Sequence, residues 1–424
     1  MNPDYSLSYP GPENITRVQL PNGIVVLVWS NFNSPSVVIN GYLDAGSLFD
    51  SDDKLGLADF TASALMRGTS VRDFQATYDA LESVGASLGF YGGTHSTGFS
   101  GRALAEDLDL LLALLSEALL KPVFPEDQVE KLRAQLLTGL AIRAQDTAEM
   151  ASLAFDQLLY PGHPYSRPDD GFPETIQAIQ RQDLIDFHDR YYGPQDMAIV
   201  VAGAVEPGYA IEKVAGALGD WLYPHQPELP ALPPVQPLSN RVTEIVNIPG
   251  KSQSDIILGA AGPERRSPDY LAASLGNSIL GQFGMYGRIG EVVRERAGLA
   301  YYAYSSLSGG LGPGPWFVSA GVDPLNIERA TGLILSEVAR FCREPVRPEE
   351  LEDSQANYIG RLPLSLESNG GVAGAILSLE RYDLGLDYYR RYPGLISAIT
   401  VEDVLAAARR YLDPEFFAIS IAGP

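Results

Sequence analysis

The sequence is poor in the residues that most often carry metal and redox chemistry. One cysteine, Cys342, stands in 424 residues. No intrachain disulfide, zinc finger or thioredoxin-type pair can form from it, and the composition fits a reducing compartment. Only four histidines are present, His95, His163, His188 and His225. They are scattered through the chain rather than spaced as ligands. His95, in Thr94-His95-Ser96-Thr97, has no evident Asp and nucleophile with which to build a hydrolase triad. Structural or surface roles are expected for all four.

Positive charge is also scarce. Thirty Lys and Arg face 53 Asp and Glu, a net charge of -23. A nucleic-acid-binding surface needs a basic footprint, so nucleic acid is excluded as a partner, and anionic membrane surfaces are disfavoured on the same ground. The charge reads as that of a soluble acidic protein; an acidic chamber for basic peptides is the sharper alternative. No apolar run approaches the ~20 residues needed to span a bilayer. Met1-Asn2-Pro3-Asp4-Tyr5 lacks the basic and apolar regions of a signal peptide and the Arg-rich character of a presequence, which predicts a cytoplasmic protein. Low-complexity tails and coiled-coil heptads are absent.

What is there begins with a repeat. Pro173, Ile176, Ala178-Ile179, Asp183, Arg190-Tyr191, Pro194, Ala198-Ile199 and Ala202-Gly203 recur as Pro393, Ile396, Ala398-Ile399, Asp403, Arg410-Tyr411, Pro414, Ala418-Ile419 and Ala422-Gly423, always 220 residues on. A gap-free match over about thirty residues points to a duplicated domain. Each copy reads as a helix starting near the Asp, running through Arg-Tyr, and yielding at the Pro to a short apolar strand. Six prolines between positions 223 and 240 forbid helix and central strand there and predict an extended, semi-rigid linker. The expected organisation is therefore a domain over 1–222, a linker over 223–240 and a second domain over 241–424. Residues 17–29 and 36–43 read as strands around the turn Pro21-Asn22-Gly23; 105–120 and 125–143 read as amphipathic helices. Such alternation predicts an α+β fold, two homologous α/β sandwich domains with helices on a largely antiparallel sheet.

The stretch Gly56-Leu57-Ala58-Asp59-Phe60-Thr61-Ala62-Ser63-Ala64-Leu65-Met66-Arg67-Gly68-Thr69 has the frame of a metal-binding helix without its donors. In H-x-x-E-H, two His four residues apart share a helix face and bind one zinc, while the Glu polarises the bound water. Those three positions hold Asp59, Ala62 and Ser63. Asp59 is a potential ligand, but Ala62 accepts no proton and Ser63 is a poor zinc ligand, so neither the metal site nor the base can form. The frame around the gap, Gly-x-Ala before it and Arg-Gly-Thr after it, resembles the pitrilysin-type metallopeptidases, the family of the mitochondrial processing peptidase. That resemblance implies a metalloenzyme (LuxS/peptidase-like) fold. It also implies a further Glu ligand from a later helix, yet 131–145 contains no Asp or Glu.

Gly290-Glu291-Val292-Val293-Arg294-Glu295-Arg296-Ala297-Gly298-Leu299-Ala300-Tyr301 is similar to the family's second-half signature. In that signature an Arg and, seven residues later, a Tyr hold substrate carbonyls and the tetrahedral oxyanion. Gly298 sits where a helix C-terminal glycine would, with β-prone residues beyond it. Tyr302 and Tyr304 read as packing or surface residues. Gly281, Gly284, Gly287 and Gly290 recur every three residues, but the spacing matches no phosphate-binding loop. The resemblance implies a non-catalytic subunit that binds no zinc itself, supplies Arg294 and Tyr301 in trans, and pairs with a zinc-bearing H-x-x-E-H chain to act on peptides. The alternative is a structural or peptide-binding homodimer; an independently active hydrolase lacks a nucleophile and base.

Overall fold

A computed structural model of the chain describes residues 9–282 and 287–424. The first half of the sequence forms strands β1 (Ile15–Gln19), β2 (Val25–Ser30), β3 (Ser36–Leu43), β4 (Ser87–Gly92), β5 (Thr97–Leu104) and β6 (Ala198–Gly203). Its helices are α1 (Leu57–Ala64), α2 (Phe74–Ser83), α3 (Leu108–Leu120), α4 (Glu126–Arg143), α5 (Thr147–Leu159), α6 (Pro173–Ala178), α7 (Arg181–Tyr191) and α8 (Pro207–Leu218). The second half forms β7 (Val242–Asn247), β8 (Ser254–Ala261), β9 (Ala300–Gly309), β10 (Pro313–Val322) and β11 (Ala418–Gly423). With them come α9 (Tyr270–Asn277), α10 (Ile327–Arg343), α11 (Pro348–Ser365), α12 (Asn369–Arg381), α13 (Tyr388–Ser397) and α14 (Val401–Tyr411).

The strands make two mixed sheets, ordered β1-β2-β6-β3-β5-β4 and β7-β11-β8-β10-β9. The order is the same once β1 is set aside. β2 and β6 run parallel, as do β7 and β11, and the other neighbours are antiparallel. The expected antiparallel sheet is therefore largely right, with one parallel pair in each copy. Register carries the duplication further than the sequence match does. Val38 pairs with Ala202 and Arg102, and Arg102 with Ser87. In the second sheet Asp255 pairs with Ala422 and Gly321, and Gly321 with Tyr302. Since Ala422 lies 220 residues after Ala202, the two rows are equivalent.

Local chemistry explains the elements. The β1–β2 hairpin closes on Gly23 at φ +100°, with the Asn22 amide donating to the carbonyls of Leu218 and Trp221. Strand β3 alternates half-buried and buried residues, as expected when one face meets the core, whereas β6 and β11 are buried throughout. One apolar core gathers Val26, Ile39, Phe60, Leu111 and Val201. Another gathers Ile256, Leu258, Trp316, Ile334, Phe341 and Val404.

The chain divides into two compact units that are not continuous in sequence. One comprises residues up to Leu140, Pro168–Ala231 and Leu362–Arg391; the other comprises Ala141–Arg167, Leu232–Arg361 and Tyr392–Pro424. Each unit thus includes a helix from the other half of the sequence. In the first unit α12 lies on β3 and β6, burying Val372, Ala373, Ile376 and Leu379 at helical spacing. Asn369 bonds Ser36 at one end and Glu380 takes both guanidinium arms of Arg17 at the other. In the second unit α5 lies on β8 and β11 and buries Ala151, Ala154, Phe155 and Leu159.

Residues 223–240 contain neither helix nor strand. Gln226 bonds both backbone groups of Gln195 in the first unit, and the Pro233 carbonyl meets the His163 ring in the second. His188 likewise bonds a carbonyl, that of Leu119. Among the described residues no helix is long and apolar enough to cross a membrane.

The helix exchange has a measurable consequence. Val372, Ile376 and Leu379, at about 1.5–3 kcal/mol each, contribute about 5–9 kcal/mol, the size of a domain's whole stability. A fragment of residues 1–222 is expected to melt without cooperativity, and addition of a 362–391 peptide to restore a sharp transition. A sharp transition from the fragment alone would contradict the packing.

Candidate functional site

Two places carry the residues singled out by sequence, one in each unit. In the first, Asp50 reaches across to accept the amides of Gly56 and Ala58 at 2.9 and 3.0 Å, which satisfies donors that a helix start leaves unpaired and nucleates α1. Phe60, Ala62 and Ala64 are fully buried, while Asp59 and Ser63, four residues apart on one face, are half-buried. Asp59 accepts the Gly92 amide at 3.1 Å. The approach of helix to strand is so close that a Cβ on Gly92 would fall 2.4 Å from the Asp59 Cα. The carboxylate at the first motif position is therefore part of the joint between α1 and the edge strand β4.

Carboxylates crowd this joint. Burial pushes Asp59 up to about 6, opposed by the Gly92 bond and reinforced by Asp170 and Asp169. Burial likewise raises Asp50 to about 7 against its backbone bonds. Asp169 is also raised by burial, although Ser47 and Thr94 donate to it.

In α4, where the resemblance implies a distal Glu, no Asp or Glu stands from Lys131 to Arg143, and this stretch includes Arg133 and Gln135. The Arg133 guanidinium lies 5.3 Å from the centre of the Phe60 ring and donates to the Ile176 carbonyl, and Gln135 accepts from Arg67 at 2.6 Å. A bonded Asp, a buried methyl and a nearby guanidinium do not fit a zinc ion, whose sites take neutral His, thiolate or free carboxylate. Among the described residues no three His, Cys, Asp or Glu side chains are gathered where they could hold a metal.

The second place lies on the segment Gly290–Arg296, a π-helical turn leading into β9. Such wide turns are rare and concentrate at functional sites. It ends at Gly298, whose φ of +64° only a residue without a Cβ adopts freely; the amides of Gly298 and Leu299 return to the carbonyls of Arg294 and Val293. Tyr301 falls in a bulge, because Val322 pairs with Ala300 while Gly321 pairs with Tyr302. Its side chain is 61% exposed, and among the described residues its hydroxyl has no hydrogen-bond partner. Arg294 is also exposed, and among the described residues its guanidinium meets only its chain neighbour Glu295, at 3.9 Å. Among the described residues neither side chain makes a hydrogen bond that ties one element of the fold to another.

Of the glycine series, Gly284 lies outside the described residues, and Gly281 and Gly290 belong to π-helical segments. Sequence reasoning missed Asp50, which caps a helix six to eight residues on, and Asp169 and Arg133, whose partners are distant in sequence. It also missed the bond from Tyr302 to Asp255.

The fold and the degenerate helix together describe a duplicated α/β protein built on a zinc-peptidase plan. Residues 25–160 match Insulinase (Peptidase family M16), and residues 178–358 match the Peptidase M16 inactive domain. Over 416 residues the chain is 26% identical to an uncharacterised zinc protease of Mycobacterium leprae, covering 97% of this chain and 92% of the other. It is 24% identical over 429 residues to one of Streptomyces coelicolor, covering 98% and 90%. The crystal structure of a peptidase M16 inactive domain from Pseudomonas fluorescens matches with a TM-score of 0.90 and 27% identity, covering 97% of this chain and 98% of that one. The chain belongs to peptidase family M16 and is related to zinc proteases, with the family's inactive domain in its second half.

Asp59 makes the first unit sensitive to pH. Its folded value of about 6 lies above the ordinary 3.8, so its contribution to stability is complete below pH 3.8 and is lost as pH rises through about 6. Asp59→Asn keeps an acceptor for the Gly92 amide and removes the charge. The variant should melt with wild type near pH 4 and be more stable by on the order of 2 kcal/mol at pH 7. Melting curves at both pH values test this, and a variant less stable at pH 7 would contradict it.

Proposed function

We propose that this chain is the non-catalytic subunit of a heteromeric zinc peptidase, lending Arg294 and Tyr301 to the site of a partner. The partner is a chain of the same family that carries H-x-x-E-H and therefore the zinc, its His ligands and the general base. The observation that carries the reading is the contrast between the two units. Asp59 is tied to a backbone amide and Ala62 is buried in the core, while on either side of a left-handed glycine Tyr301 is exposed with no hydrogen-bond partner for its hydroxyl among the described residues, and the exposed Arg294 guanidinium meets only its chain neighbour Glu295 among them.

The chemistry follows from the donors. As a peptide carbonyl is attacked, negative charge gathers on its oxygen. The Tyr301 hydroxyl donates one hydrogen bond to that oxygen, and the Arg294 guanidinium donates further bonds to it or to a neighbouring carbonyl. Donors fixed before reaction need no reorganisation, and each is worth roughly 3 kcal/mol of barrier. Extended peptides are the substrate class, since both donors address backbone carbonyls. The complex is heterodimeric or larger, cytoplasmic, and without a nucleic-acid partner.

Two measurements test this. Metal analysis of the isolated chain should find far less than one zinc; one tightly held zinc per chain, lost on Asp59→Ala, would contradict the reading. In the complex with its zinc-bearing partner, Tyr301→Phe should lower turnover by about 10² fold with assembly and melting temperature unchanged. Arg294→Ala should weaken both substrate binding and turnover. Unaltered turnover in Tyr301→Phe would reduce the chain to a scaffold.

A further inference from the structure

Asp255 is an anomaly in the middle of a sheet. It belongs to β8, which lies between β11 and β10, and is 1% exposed. Removing a carboxylate from water is costly unless hydrogen bonds replace hydration. Three neutral donors supply them: the Thr147 hydroxyl from α5, the Gln253 amide at 2.9 Å, and the phenol of Tyr302 from β9. No cation is among them. An aliphatic residue would fill this position without the desolvation cost, and the other sheet has one. The row Val38, Arg102 and Ser87 stands where Asp255, Gly321 and Tyr302 stand here. Among the described residues the equivalent row of the other sheet, around the half-buried Val38, has no such network; it belongs to the unit that carries Arg294 and Tyr301.

Its place in β9 indicates its use. Tyr302 lies immediately after the bulged Tyr301. Its ring rests on Gly321, where a Cβ would come within 2.5 Å of the Tyr302 Cε1, and its hydroxyl is held by Asp255. On the other side of the bulge, Ala300 is paired with Val322 and Leu299 is buried. The extra residue of a bulge has no partner opposite, so the direction of its side chain is set by how firmly its neighbours are fixed.

We propose that Asp255, acting through Tyr302, is a positioning residue that fixes the bulge and thereby the direction of the Tyr301 phenol. The inference rests on the reading of Tyr301 as a donor to a partner's substrate, and it adds the device that holds that donor in place before the partner binds.

The test uses Tyr302→Phe, which keeps the ring over Gly321 and removes only the hydroxyl, and Asp255→Asn as a second variant. A 3-fluorotyrosine incorporated at position 301 reports its surroundings by fluorine NMR in the isolated chain. Wild type should give one narrow resonance, and both variants should shift or split it while retaining a cooperative melt. In the complex with the zinc-bearing partner, Tyr302→Phe should lower kcat by about 10 to 10² fold with KM within about twofold, as expected for a misdirected donor. An unchanged fluorine resonance together with wild-type kcat in Tyr302→Phe would overturn the inference, even if Tyr301→Phe loses turnover. A changed resonance with turnover unaffected by either Tyr301→Phe or Tyr302→Phe would uphold the positioning and overturn the role in trans.

Discussion

The architecture depends on covering both faces of two sheets whose central strands are apolar on either side. β6 and β11 read Ala-Ile-Val-Val-Ala-Gly and Ala-Ile-Ser-Ile-Ala-Gly and are buried at every residue. Each has a parallel neighbour, a pairing found where helices cover both faces. Helices from the same half of the sequence cover one face; α12 and α5, each from the opposite half, cover the other. With the sheet interiors committed in this way, variation falls to the edges. The erased zinc helix leans on edge strand β4, and Tyr301 lies on edge strand β9.

The two edges have diverged in how they use polar side chains. At β4, Asp59 is tied to a backbone amide, Ala62 is buried and Arg133 stands over Phe60. These groups are part of the packing, beside carboxylates that burial makes reluctant to ionise. At β9 the opposite holds. Asp255 is buried and bonded to the half-buried Tyr302, while Arg294 and Tyr301 remain exposed. Asp255 is buried in β8 on neutral donors, whereas its half-buried counterpart Val38 serves the other sheet without a carboxylate.

Much of this was legible in the sequence because it is local. The offset of 220 residues identified α7 with α14 and β6 with β11, whose bounds agree to the residue. Pro21-Asn22-Gly23 announced its hairpin, and Gly298 announced the helix end before β9. The destination of α5 and α12 was not legible. Amphipathic spacing says that Phe155 and Leu159, or Val372 and Ile376, share a buried face, but it carries no information about which sheet that face meets. The same limit hid Asp50 at the start of α1 and Asp255 beneath Tyr302, pairings that span from 6 to 47 residues. The absence of H-x-x-E-H was plain, whereas the conversion of Asp59 into a joint with Gly92 required coordinates.

The central claim is that this chain completes another chain's active site. It is tested most directly by titrating the purified protein into a zinc-bearing H-x-x-E-H chain of the same family while following hydrolysis of an unstructured peptide. The account predicts negligible hydrolysis by either chain alone and a rise in rate that saturates at a fixed stoichiometry. Full activity of the zinc-bearing chain alone, unchanged by this one at any ratio, would contradict it.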